Sequence, residues 1–331
     1  MDTNGLVITK CDSGVINTAF CHQNRSANET NLYHSNWSFT LKKLLVALTL
    51  LLAAKVSANT VPCDANDSEC TAIGQWRFGV ALGGGVITNP LHGGDNIPLI
   101  AVPYISYYGE NLFLDNGTLG YTLYYHDQFD ISLIGTFNTE QAYFEKFHPS
   151  NIFVQKSLLD ASAELPGGEF LAEQRVISLD DIKSRKWAVD GGVLAHWIIN
   201  DNVKVTASWL SDITNTYQGY NADIGISYRF RFNNTPNAHA LIKAGLKWKS
   251  RQLIDYYYGI NKADTLNSAL WYEGSSSYQP YLSFAYSYPI SKSWTFKFNA
   301  KYQQLDTVMT DSPIVEDSYT ATVFVGGKYE F

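Results

Sequence analysis

The side chains that most often carry enzyme chemistry are present in this chain but are not gathered. Of seven histidines, His22 and His34 lie near the N-terminus, and His92, His126, His148, His196 and His239 fall in separate segments. Acyl transfer needs a nucleophile activated by a base that a third group orients. No GxSxG turn occurs, and no serine stands with a histidine and an acid in a recognised pattern. His196 and Asp190 share one parity within an alternating stretch, but six extended residues separate them by roughly 20 Å, too far for a hydrogen bond. Asp180 and Asp181 lack a third carboxylate at calcium-loop spacing and read as a solvated acidic turn. No catalytic, cofactor or metal site is expected, and a formal net charge of -7 argues against nucleic acid as a partner.

What the charged residues do share is a period of two. Asp317 to Phe331 reads DSYTATVFVGGKYEF. Tyr319, Ala321, Val323, Val325, Gly327, Tyr329 and Phe331 fall on one face, and Ser318, Thr320, Thr322, Phe324, Gly326, Lys328 and Glu330 fall on a mostly polar other. That is the pattern of a strand with one apolar and one wet side. The same alternation puts Trp187, Val193 and Trp197 opposite Asp190 and His196. It puts Tyr220, Ile224, Tyr228 and Phe230 opposite Asp223, Arg229 and Arg231. By the same parity Lys204, Lys243, Lys247, Lys297, Lys301 and Lys328 share an interior with Asp130, Asp190, Asp223 and Glu330. Two readings of that interior stand open: a closed lumen filled by paired charges, or a narrow channel whose electropositive wall prefers anions.

The elements that hold these faces are too long and too aromatic for an ordinary soluble sheet. Tyr319 and Tyr329, like Trp187 and Trp197, stand ten positions apart on the apolar face. Ten residues span roughly 33 Å, and a tilt of about 40° projects this onto roughly 25 Å, the height of the apolar band on a transmembrane β-barrel. Trp187, Trp197, Tyr220, Tyr228, Phe230, Tyr319 and Tyr329 are therefore read as aromatic girdles, and Tyr329 with the final Phe331 as a barrel-assembly signal. Composition agrees: 14% aromatic and only 17% charged residues, with a mean hydropathy of -0.15. Bundles of spanning helices would need repeated apolar runs of about 20 residues, and none follows residue 58.

The one continuous apolar run, Leu44 to Ala54, follows Lys42-Lys43 and precedes Val56-Ser57-Ala58. This reads as a secretory signal cleaved after Ala58. The expected organisation is a polar extension over 1–40, a signal peptide over 41–58, a short periplasmic segment over 59–74 and a barrel over 75–331. Cys63 and Cys70 are expected to close a small disulfide loop in the exported segment, since the compartment is oxidising and two cysteines make a poor metal site. Counting strands gives an antiparallel all-β barrel of twelve, with ten and fourteen also compatible. One strand is carried from Ala238 to about Tyr258. The Asn116-Gly117 pair predicts a tight hairpin because both central positions need positive φ. Long connections at 141–185, 210–217, 259–276 and 306–317 alternate with short turns near Asp127, Asp201, Asn234 and Ile290, as outer loops and periplasmic turns should.

With the strands placed, SLIGTFNTEQAYF (Ser132 to Phe144), WAVDGGVLAHW (Trp187 to Trp197), SDITNTYQGYNADIGISYRF (Ser211 to Phe230), YYYGIN (Tyr256 to Asn261), YQPYLSFAYSYPIS (Tyr278 to Ser291) and DSPIVEDSYTATVFVGGKYEF (Asp311 to Phe331) resemble the MipA/OmpV family of outer-membrane proteins. The likeness covers about Trp76 to Phe331. It implies a non-enzymatic scaffold in the outer membrane, joining a murein-cleaving lytic transglycosylase to a bifunctional murein synthase of the penicillin-binding type. Outer-membrane lipid with lipopolysaccharide and the barrel-assembly machinery are the other implied partners. Other members of the family are treated as porin-like channels or surface antigens, and no catalytic residue is assigned in it.

Overall fold

The computed structural model of the chain describes residues 9–11, 70–145, 176–232 and 238–331. Twelve antiparallel strands follow one another around a ring: β1 Trp76–Ile87, β2 Ala101–Tyr108, β3 Leu112–Asp115, β4 Thr118–His126, β5 Phe129–Phe137, β6 Val189–Ile198, β7 Val203–Asp212, β8 Tyr220–Arg231, β9 His239–Lys249, β10 Ser277–Pro289, β11 Trp294–Gln304 and β12 Tyr319–Glu330. Ile97–Pro98 also pairs with β1 and is the start of β2, interrupted at Leu99 and Ile100. That interruption is why alternation around Leu99 gives no clean pair of faces in the sequence. Pairing of β12 with β1, from Thr322 opposite Ile87 to Glu330 opposite Gly79, closes the sheet. Closure satisfies both edges of the ladder, which a spanning sheet requires because lipid offers no hydrogen bonds. At this seam the two strands lie so close that a Cβ on Gly83 would meet the Val325 carbonyl oxygen at 2.1 Å. Gly83 and Gly85 serve close approach there, whereas a Cβ on Gly84 would meet nothing.

Side chains sort by parity as the strands dictate. Trp76, Phe78, Leu82, Trp209, Ile224, Ile226 and Leu282 point away from the ring and are about half exposed. Such a continuous apolar belt far exceeds the patch a water-soluble monomer tolerates. Stacked or tilted aromatic pairs, among them Trp209 with Trp248 and Tyr302 with Tyr319, lie along it. The mostly polar parity points inward, and among its apolar members Phe324 is fully buried with Ala81, Leu99 and Val102.

The Asn116-Gly117 turn has φ of 44° and 88° at its two central residues. It joins β3, only four residues long, to β4. The Asn116 side chain accepts from the Ile105 N–H, and the Asn116 backbone N–H donates to the Ile105 carbonyl. The hairpin therefore ends against the middle of β2.

One expected strand is corrected. The segment from Ala238 does not run to Tyr258: β9 ends at Lys249, and Arg251–Tyr258 is an α-helix, α1. Ser250 caps it by accepting the Leu253 N–H, and Leu253, Ile254, Tyr257 and Tyr258 recur at helical spacing on one buried face. A period of 3.6 has replaced a period of two within one apolar stretch. A second short helix, α2 Thr307–Thr310, follows β11.

These helices and the long loops pack together at one end. Leu91, Tyr217, Leu253, Ile254, Tyr257, Tyr258, Ile260, Met309, Ile314 and Val315 form the largest buried cluster among the described residues. It caps the long-loop end of the ring, which is the outer end in bacterial barrels, whereas the opposite end carries short turns. Cys63 and residues 41–69 lie outside the described residues, as does the side chain of Cys70, whose backbone strand Cys70–Ala72 pairs with Thr9–Cys11.

Phe331 continues the seam, donating its N–H to the Phe78 carbonyl at 3.0 Å, and Tyr329 packs edge-on against it. Deleting Phe331, or making Tyr329→Asp, is expected to lower the yield of heat-modifiable folded barrel several-fold in outer-membrane fractions. Wild-type levels of folded protein for both variants would show that this stretch is not the assembly signal.

Candidate functional site

Inward parity from eleven neighbouring strands, β2 to β12, gathers the polar side chains around one internal cavity of about 430 Å³. It extends from Asp201, Asn202, Arg231 and His239 at the short-turn end to Glu140, Lys249 and Leu253 beneath the cap. Ten of the twelve charges given inward parity line it, Asp190, Lys204, Asp223, Arg229, Arg231, Lys243, Lys247, Lys297, Lys301 and Lys328, whereas Asp130 and Glu330 lie outside its lining. Among the described residues nine Lys and Arg meet five Asp and Glu on its wall, a basic surplus although the whole chain is acidic. The aromatic residues read as girdles all lie on the opposite parity: Trp187, Trp197, Tyr220, Tyr228 and Phe230 are each 40–45% exposed. Tyr319 and Tyr329 pack sideways against Tyr302 and Trp294.

Several of the charges are held by partners from other elements. Asp190 accepts from the Tyr217 hydroxyl at 2.5 Å, from Asn138 at 2.7 Å and from Asn221 at 2.8 Å, three donors brought from different elements. His196 does not meet Asp190. It lies 3.0 Å from Asp130, its register partner on β5. The nearby Ser132 hydroxyl donates to Thr122, and among the described residues no three His, Cys, Asp or Glu are placed to hold a metal ion. At the closing seam Glu330 binds both Arg77 at 2.6 Å and Lys328 at 3.0 Å.

Sequence parity gives no hint of the ion pair that ties the cap to the barrel. Glu140, in a 3-10 turn after β5, is 2.6 Å from the Lys249 ammonium at the outer end of β9 and accepts the Tyr258 hydroxyl of α1 at 2.5 Å. All three are buried. Burial by itself would raise the Glu140 carboxyl, but the Lys249 charge and hydrogen bond, with the Tyr258 hydroxyl, outweigh it and hold the group below the ordinary carboxylate range. The same surroundings push the Tyr258 hydroxyl well up, so it remains a donor. Beside them Arg185 bridges Asp264 at 2.9 Å and the Gly259 carbonyl at 2.8 Å, and Gln141 donates to the Arg185 carbonyl. The one sequence signal for this arrangement is Ser250 followed by Leu253, Ile254, Tyr257 and Tyr258, a capped helix in place of a strand end.

A closed ring of twelve strands with an apolar outside, a charged inside, long loops at one end and short turns at the other is an outer-membrane β-barrel. Residues 80–331 match the family described as MltA-interacting protein MipA, and the chain belongs to that family. It is 26% identical over 265 residues to the MltA-interacting protein of Escherichia coli (strain K12), a match covering 80% of this chain and 94% of that one. It is also 23% identical over 232 residues to the putative outer membrane protein YiaT of the same organism, covering 70% and 82%. Against the outer membrane protein OmpV of Vibrio cholerae it is 25% identical over 154 residues, covering 46% and 58%. These relatives are named as interacting or outer-membrane proteins rather than as enzymes, and the chain itself is an outer-membrane protein.

Proposed function

We propose that this protein is a non-enzymatic scaffold that binds a murein-cleaving lytic transglycosylase, together with a murein synthase, at its periplasmic rim. The observation that carries the reading is the asymmetry of the two ends, taken with the name of the relatives as MltA-interacting. The outer end is occupied by a packed core of loops and helices, while the inner end presents short, exposed turns. The turn at Asn200 is rigid, its side chain accepting from the Asn202 and Val203 N–H groups. Around Ile290 the Ile290 and Ser291 N–H groups both donate to the Trp294 carbonyl. Exposed Asp201 and Ile290 are thus offered on fixed supports, which lowers the ordering cost of a protein contact.

Immobilised, refolded barrel is expected to retain purified MltA. Replacing residues 200–202 and 290–293 by Gly-Ser turns of equal length should weaken retention at least tenfold, whereas substitutions confined to the outer cap should leave it unchanged. Undiminished retention after both turn replacements, with folding verified by heat-modifiable mobility, would rule out the rim as the docking surface. The basic lumen favours a second reading, a small-solute channel. Planar-bilayer recording separates the two, because a channel carries steady anion-selective current with the cap intact.

A further inference from the structure

We propose that the lumen is a blind pocket that binds a small multivalent oxyanion, one bearing two or more phosphate or carboxylate groups and entering from the periplasmic end. The binding centre is the lysine trio around Tyr281. Tyr281 on β10 is opposite Gly245 on β9, which is opposite Gly225 on β8. A Cβ at Gly245 would come within 2.4 Å of the Tyr281 ring, and one at Gly225 within 2.7 Å of its hydroxyl. The paired glycines thus leave the shallow bed on which the ring lies across two strands. Its hydroxyl donates to Asp223 at 3.0 Å, which anchors the far end.

Three ammonium groups surround this ring. Lys243 Nζ is 5.2 Å, Lys301 Nζ 5.4 Å and Lys247 Nζ 6.0 Å from its centroid. Register explains the gathering: Lys243 and Lys301 both lie opposite Ser283, one on each side of β10, and Lys247 follows Lys243 by four residues on the same face. Asp223 lies 3.6 Å from Lys243 Nζ. Three like charges around one ring repel one another, and the ring quadrupole offsets only part of that repulsion. A ligand carrying several negative charges would relieve it. The cavity volume lies within the range of small-ligand sites. Arg229 and Arg231 at the short-turn end extend the positive field toward the entrance, whereas the cap closes the other end. This inference does not depend on the scaffold reading.

The test is titration calorimetry of the full-length mature barrel in detergent, with sodium pyrophosphate, citrate and acetate as probes. Saturable binding of pyrophosphate or citrate, at least tenfold tighter than acetate and weakened by added salt, is the expected result. The double variant Lys243→Gln/Lys301→Gln should lose at least tenfold in affinity. Lys292→Gln, on an exposed inner turn outside the lumen, should bind as wild type, and unaltered heat-modifiable mobility of the double variant should show that folding is not the cause. No saturable binding at millimolar probe, equal binding of acetate, or an unaltered double variant would overturn the site. Steady anion current through the wild-type barrel would overturn the blind end.

Discussion

Glu140→Ala is expected to release the outer cap, costing about 3–5 kcal/mol, because it leaves the Lys249 ammonium buried without its anion and removes the acceptor of the Tyr258 hydroxyl. The loss should be local, since Glu140 lies outside the twelve-stranded ladder and Lys249 stands at the very end of β9. It is best read by hydrogen exchange of the α1 amides, Arg251–Tyr258, which should lose several hundred-fold protection while the strands keep theirs. Lys249→Met should act in the same direction by stranding Glu140. The combined Glu140→Leu/Lys249→Met variant should recover part of the loss, as apolar replacement of a buried pair commonly does.

The pH dependence follows from the same geometry. Because the Glu140 carboxyl is held below its ordinary value of 4.5 in the folded cap, its contribution is fully present above that value and is lost as pH falls through the lower folded one. Cap protection should therefore decline only below about pH 4.5, and the decline should be absent in the double apolar variant. Wild-type protection in Glu140→Ala would show that the hydrophobic cluster alone holds the cap.

The second large effect is expected from sidedness. Val193 points outward midway along β6, opposite exposed Leu133 on β5 and Trp209 on β7. Its neighbour Leu194 lines the cavity. Val193→Arg should destabilise the barrel by about 2–4 kcal/mol in urea titrations of protein refolded into lipid, since it forces a charge into the hydrocarbon midplane. Leu194→Arg places the same side chain where polar groups and solvent can meet it and should cost less. Equal losses, or the reverse order, would mean that the faces of β6 have been assigned to the wrong sides.

How much of this was legible beforehand differs between wall and cap. Trp197, Tyr319 and Tyr329 announced their faces because a strand's side chains alternate whatever its neighbours are, whereas Trp187 lies two residues before β6 begins. The inward charges followed by the same parity, without knowledge of which strand lay beside which. The Asn116-Gly117 hairpin was equally local, since only positive φ at both centres makes so tight a turn. The pattern misled where one apolar stretch served two periods: Leu253, Ile254, Tyr257 and Tyr258 suit a strand's composition but a helix's spacing, and the Ser250 cap decides between them.

Alternation, turn chemistry and the length of the apolar runs thus determined a membrane barrel with a charged interior, because each is a property of neighbouring residues. Only the tertiary structure decided which charges meet. Asp130 and His196 are 66 positions apart, and Glu140 and Tyr258 are 118 apart. The lysine trio forms only when β9, β10 and β11 fix their register. Such pairings depend on strand order and stagger, and no periodicity within one segment can encode them. The cap is the extreme case: its core joins loops from around the whole ring, and what gathers them is the burial of apolar surface that no single loop can cover alone.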